Sequence, residues 1–174
     1  MSQSVPSFEE LLDSAQHSAF HLEMRDTYSV DEERDHVAAW RRGGRADDAD
    51  SAQWRPWVDL VRRTVGRGVL MRRARVVSEP VTEYIRYEHA GTSVNIRAGE
   101  QVRWLPRHKA SDIALPGNDF WLIDDRIVRF NIFTGDGAAV DPQASEEPTV
   151  IKLCASAFEE VWARAVPHGE YEIV

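Results

Sequence analysis

Between Val69 and Leu105 the hydrophobic period changes twice, and this change constrains the chain more than any other feature. Val69 to Val77 (VLMRRARVV) is β-rich and ends at Ser78-Glu79-Pro80, a helix-start signal. A helix carrying Tyr84, Ile85 and Glu88 is expected to run to about His89, with Ser78 as its cap. Gln101 to Leu105 is then a second strand, closed by Pro106. Strand, helix and strand at this length form a βαβ unit, whose strands are parallel because the crossover packs back on one face. Asp119 to Ile123 and Arg126 to Phe133 flank Asp124-Asp125 and read as a β-hairpin with an acidic turn that lacks the usual glycine. Val150, Ile151, Cys154, Ala157, Phe158, Val161, Trp162 and Ala165 trace the stripe of a closing helix.

The N-terminal part reads as helical. Ser7-Phe8-Glu9-Glu10 is a capping box, and Phe8, Leu11, Leu12, Ala15, Ala19 and Leu22 continue at helical spacing to about Leu22 or Met24. Asp31 to about Arg41 is a second short helix. Gly43 to Ser51 (GGRADDADS) reads as an exposed loop. Trp54, Trp57, Val58, Val61 and Val65 mark a third helix that ends at Gly66, with Pro56 in its first turn. The expected fold is α/β, one domain over 1–174. Its helical segment (1–66) packs on a small mixed sheet and closing C-terminal helix (67–174).

A chain of 174 residues, 43% hydrophobic and 29% charged, is neither collagen-like nor low-complexity, and is long enough to bury a core without disulfides. Cys154 is the single cysteine, so no intrachain disulfide or cysteine-rich zinc site can form. The start MSQSVPSFEELL has no basic, apolar leader pattern, and no stretch has the apolar length of a membrane span. A cytoplasmic protein without membrane contact is expected. The net charge of −8 disfavours direct nucleic-acid binding. Seven arginines lie between Arg55 and Arg75 against one acid, Asp59, so this segment carries +6 and the remainder −14. The arginines are expected on solvated helix and strand faces, and the acidic remainder is expected to attract a basic partner.

Few residues suggest chemistry. His17 and His21 have a zinc-like spacing, but on a helix both would face outward, and Ser18 stands where a metalloprotease helix places glutamate. No metal is expected. Cys154 falls in an apolar stripe and reads as core, as do Trp57 and Trp162. Aromatic and charged residues near the carboxyl ends of parallel strands can line a pocket. Glu79, Arg103, Trp104, Asn118, Asp119 and Trp121 are the candidate ligand-binding residues, with Arg107 nearby, for a small acidic or phosphorylated ligand. No catalytic residue and no cofactor is assigned.

The segments SFEELLDSAQHSAFHLEMRDTY, RARVVSEPVTEYIRYEH, VRWLPRHKASDIALPGNDFWLIDDRIVRFN and KLCASAFEEVWARAVPH resemble an actinobacterial family, a domain of unknown function. Members are commonly encoded beside XRE-type helix-turn-helix regulators. Gly68 to Val166 also resembles, distantly, the non-catalytic phospholipase-D-like domains of some bacterial regulators. Catalytic members need H-x-K-x-x-x-x-D; with Asp124 in the aspartate position, Gly117 replaces the histidine and Asp119 the lysine. Glycine cannot be a nucleophile, and a carboxylate repels phosphate. The resemblances imply a non-catalytic regulatory module working with a helix-turn-helix partner. The alternative is an enzyme with a carboxylate and arginine pocket at the strand ends.

Overall fold

The chain builds a mixed sheet whose middle strand comes from the part expected to be helical. In the computed structural model, which describes residues 5–29 and 31–174, seven strands pair into one sheet among the described residues. They are β1 (Ser18–Glu23), β2 (Leu70–Val77), β3 (Gln101–Pro106), β4 (Asp119–Ile123), β5 (Ile127–Phe133), β6 (Ala139–Ser145) and β7 (Val166–Pro167). Their order is β6-β5-β4-β1-β2-β3-β7. The helices are α1 (Phe8–Ser14), α2 (Asp31–Arg41), α3 (Arg55–Gly66), α4 (Glu83–Ala98) and α5 (Pro148–Arg164). Residues 1–4, where the leader reading begins, lie outside the described residues. No helix among the described residues is long and apolar enough to cross a membrane.

The α/β fold is as expected, and β2, α4 and β3 form the parallel crossover. The hairpin of β4 and β5 is also present, with Asp124 and Asp125 at φ 52° and 48°, the positive values that primed turns require. Aspartate tolerates this region better than most residues and replaces the missing glycine. The closing helix α5 buries Cys154, Ala157, Phe158, Val161 and Trp162.

Three expectations are corrected. The capping box at Ser7 forms as read, but its helix ends at Ser14 instead of reaching Leu22 or Met24. Ser18–Glu23 is strand β1, parallel to β2 and antiparallel to β4. Two neighbouring strands satisfy its backbone on both sides, and that pairing overrides a helical spacing carried only by Ala15, Ala19 and Leu22. Helix α4 starts at Glu83, capped by Thr82, and runs past His89 to Ala98. Ser78 does not cap it: its hydroxyl donates to Asp26 and accepts from Arg107. Gly99 ends α4 at φ 116°, where a Cβ would also press to 3.0 Å from Val65.

The two faces of the sheet differ. Leu22, Ala74, Val76, Leu105, Phe120, Leu122 and Val128 meet α5 around Cys154, Phe158 and Val161 in a dry core. On the opposite face Ala19, Met71, Ile123 and Ile127 pack on α1 and α3 through Leu11, Leu12, Val58 and Val61. Further along the same strands, that second face becomes polar.

Candidate ligand-binding site

Side chains alternate along a strand, so residues two apart share a face. Four strands carry polar or aromatic pairs at this spacing: His21 and Glu23, Arg73 and Arg75, Asp119 and Trp121, Arg129 and Asn131. Register places Arg129, Trp121, His21 and Arg73 side by side across β5, β4, β1 and β2. Two residues on, Asn131 pairs with Asp119 and Glu23 with Arg75. These rows floor a cavity of about 550 Å³ whose walls include Phe8, Tyr28, Glu33, Trp57, Tyr84 and Glu88. Helices α2, α3 and α4 thereby contribute to its lining.

An ion network lies at the bottom. Glu23 accepts from both Arg73 and Arg75, the latter at 2.6 Å from Nε. Arg73 Nε also donates to Glu100 at 2.9 Å, and Arg75 Nη2 lies 2.5 Å from Glu88. Glu100 is further held by Asn95 Nδ2 at 2.6 Å. Burial works to raise Glu23, but Arg75 and Arg73 outweigh it and hold its carboxyl well below the usual range. Other carboxylates behave oppositely. Burial, reinforced by Glu88, pushes Glu33 up to about 7, although Tyr84 donates to it at 2.7 Å. Burial also raises Asp119 to about 6 against the hydrogen bond it accepts from Tyr28. Glu88 is raised by burial despite Arg75.

His21 stands in this floor only 7% exposed, its ring stacked 4.2 Å from Trp121. Neither ring nitrogen makes a hydrogen bond, although Nδ1 is 3.3 Å from Glu23 Oε1. Burial pushes its pKa well below 6.5, so the ring is neutral, and both of its nitrogens are buried without a partner. The expectation that His21 faces solvent is therefore reversed, because it belongs to a strand; His17 remains exposed. Among the described residues no group of three or more His, Cys, Asp or Glu is arranged to hold a metal ion.

The six candidate residues do not enclose one cavity. Asp119 and Trp121 line the large one. Asn118 lines a second, of about 290 Å³, with Asp119, Arg25, Arg107 and Gly117. Glu79 instead accepts from Tyr171 at 2.9 Å. Arg103 donates to the Trp162 carbonyl and covers that indole at 4.4 Å. Trp104 is fully buried, stacked on Tyr171 with its indole N–H donating to His168, and the Arg75 guanidinium lies 4.9 Å from its ring centre. It supports the ion network from behind. The strand arginines are likewise not solvated: Arg73 and Arg75 are 8% and 5% exposed. Cys154 is buried, and burial raises its thiol to about 11, as a core residue requires. Sequence reasoning missed His21, Glu23, Arg73, Arg75, Arg129, Tyr28, Glu33 and Glu88 as site residues; the signal available was a polar pair two apart in each of four strands.

Asp124, which the resemblance would put in the phospholipase-D aspartate position, has a structural task. Its carboxylate accepts from the backbone amides of Gln16, His17 and Ser18 at 2.7–2.9 Å and so pins the entry to β1. Asp119, in the lysine position, presents a carboxylate to the large cavity.

Residues 6–173 match a protein family described as a domain of unknown function, DUF6879. No curated protein matches the sequence. Among solved structures the fold is similar to NucT from Helicobacter pylori, with a TM-score of 0.56 and 14% identity over 91% of this chain and 87% of that one. It is also similar to Nuc from Salmonella typhimurium, a phospholipase D family member, with a TM-score of 0.51 and 10% identity over 91% and 86% of the two chains. At these identities the likeness is one of fold.

Proposed function

We propose that this chain, which belongs to the DUF6879 family of unknown function, is a small-molecule-binding regulatory module built on a phospholipase-D-like fold. The observation that carries this reading is His21, a buried imidazole with both nitrogens unpartnered in the floor of a 550 Å³ cavity. A buried polar group without a partner costs about 1–3 kcal/mol, and a shift of the ring that lets a ligand supply the partner recovers that cost. The cavity is in the size range of small-ligand sites, with aromatic walls and a few polar groups. Gly117 and Asp119 in the histidine and lysine positions argue against phosphodiester cleavage by the phospholipase-D route.

The ligand state is reported to a protein, for which a helix-turn-helix regulator is the proposed partner. Supporting this, Asp141, Glu146, Glu147, Glu159 and Glu160 are exposed between residues 141 and 160, where Lys152 is the single cation in the sequence, although Arg126, Arg72 and Arg164 lie 3.8–4.0 Å from Glu146, Glu159 and Glu160. Thermal-shift screening of polar metabolites tests the binding reading. A ligand that binds only the folded state raises its midpoint, and His21→Ala abolishes the rise. A ligand whose effect is unchanged in that variant binds elsewhere and refutes the site. Failure of the adjacent regulator to co-purify at micromolar concentration, with and without ligand, refutes the partner.

One observation favours a second reading, an enzyme. Glu33 titrates at about 7 beside the Tyr84 hydroxyl, as a general acid or base does. This version uses Glu33 and Asp119 instead of Glu79 and Arg103, which stand apart from the cavity. Turnover of a bound ligand that Glu33→Gln removes without loss of binding would decide for it.

A further inference from the structure

Resting on the binding reading above, we infer that the cavity's ligand carries a positively charged nitrogen, an alkylammonium or guanidinium on an apolar body, seated between Glu33 and Asp119. The charge balance of the cavity points this way. Five carboxylates lie in or directly behind it: Glu23, Glu33, Glu88, Glu100 and Asp119. Three guanidiniums face them, Arg73, Arg75 and Arg129, and a fourth, Arg25, lies over the Phe133 ring at 5.3 Å and acts to lower Asp119. Arg73 and Arg75 are fully engaged by Glu23, Glu88 and Glu100. Glu33 and Asp119 are left without a cation in salt-bridge range among the described residues, each held by one tyrosine hydroxyl, from Tyr84 and Tyr28. The backbone amide of Met24 also donates to Asp119, at 2.8 Å.

The tyrosines that hold these carboxylates are neighbours, with rings 5.7 Å apart, and both line the cavity. Phe133 meets Tyr28 edge-on at 5.0 Å and also lines the cavity. Two unpaired carboxylates beside electron-rich ring faces are the chemistry that recognises an organic cation. Phe8, Trp57 and Trp121, with ring centres 4.7–6.2 Å apart, offer an apolar wall for the rest of the molecule. His21, its ring neutral, is stacked on Trp121 in the same floor. The raised pKa values of Glu33 and Asp119 agree with a site short of one positive charge.

The competing observation is Arg129. It donates to Asn131 at 2.5 Å, its Nε has no partner, and no carboxylate pairs with it among the described residues. An anionic ligand would use it. The test therefore compares three probes of one size, 2-phenylethylamine, 2-phenylethanol and 3-phenylpropionate, titrated into the full chain at pH 7.5. The readout is the Trp121 indole and His21 imidazole NMR signals. The amine is expected to bind about tenfold more tightly than the alcohol, the gain from a charge-assisted contact. Glu33→Gln combined with Asp119→Asn removes that preference while alcohol binding persists, which also reports an intact cavity; Glu33→Gln alone serves if the double variant does not fold. Propionate binding as well as the amine, or a preference that survives the substitutions, overturns the cation and leaves the cavity reading standing. If none of the probes moves either signal at millimolar concentration, both fall together.

Discussion

The same strands present two unlike surfaces. Toward α5 they bury Leu22, Ala74, Phe120, Leu122 and Val128 against Phe158 and Val161, with Arg72 and Arg103 at the edge against Trp162. Toward α2–α4, one residue over in each strand, they bury His21, Glu23, Arg73, Arg75, Asp119 and Trp121. A buried ion network is a poor source of stability, because removing charges from water offsets most of their attraction. The dry face is thus the part that holds the fold. The polar face is tolerated at a cost, which is the usual mark of a site.

This contrast can be broken in four ways. The largest effect is expected at Phe158→Ala, which empties space in the dry core and should cost about 3–5 kcal/mol in urea unfolding. Glu23→Gln takes the shared carboxylate from Arg73 and Arg75 and should cost about 3 kcal/mol. That lies at the low end for a broken buried pair because Glu100 and Glu88 still hold the guanidiniums. If the glutamate change costs more than the phenylalanine change, the division of labour between the faces is wrong.

His21→Phe should act in the opposite direction. It keeps a ring against Trp121 and deletes two unsatisfied nitrogens, so stability should rise by about 1 kcal/mol while ligand shifts at this site disappear. A loss of stability would show that the imidazole is satisfied in solution.

A fourth effect is in the pH profile. Glu33 and Asp119 titrate at about 7 and about 6 in the folded chain, above their ordinary values of 4.5 and 3.8. Between these limits the native state holds more protons than the unfolded one, so these two groups make stability fall as pH rises from about 4.5 to about 7. His21 and His168 are shifted downward and act in the opposite sense below 6.5. The comparison is therefore between the chain and its Glu33→Gln, Asp119→Asn variant, in which the downward slope should become shallower, Glu88 keeping its own share. Identical slopes would place both carboxylates in contact with water.

Much of the fold was legible from local pattern. The β2–α4–β3 crossover, the β4–β5 hairpin and the α5 stripe each carry their own period, because each apolar set faces one surface. β1 was not legible: Ala15, Ala19 and Leu22 satisfy a helical spacing, and only the neighbouring β2 and β4 make the segment a strand. β6 (Ala139–Ser145) is mostly exposed and carries no apolar period at all. The site was partly legible. Asp119 and Trp121 were singled out for their place at a strand end and do line the cavity, whereas Glu79, Arg103 and Trp104 lie near similar ends but point into other packing.

By itself the sequence determined the helix cap at Ser7, the acidic turn at Asp124-Asp125 and the core stripe of α5. These rest on backbone and side-chain geometry within a few residues. Only the tertiary structure decided that β1 would sit between β4 and β2. Strand order depends on contacts about a hundred residues apart, such as Asp124 with the amides of Gln16, His17 and Ser18. It is that order which sets His21 beside Trp121, gives Arg73 and Arg75 to Glu23, and leaves Asp119 without a cation in salt-bridge range among the described residues.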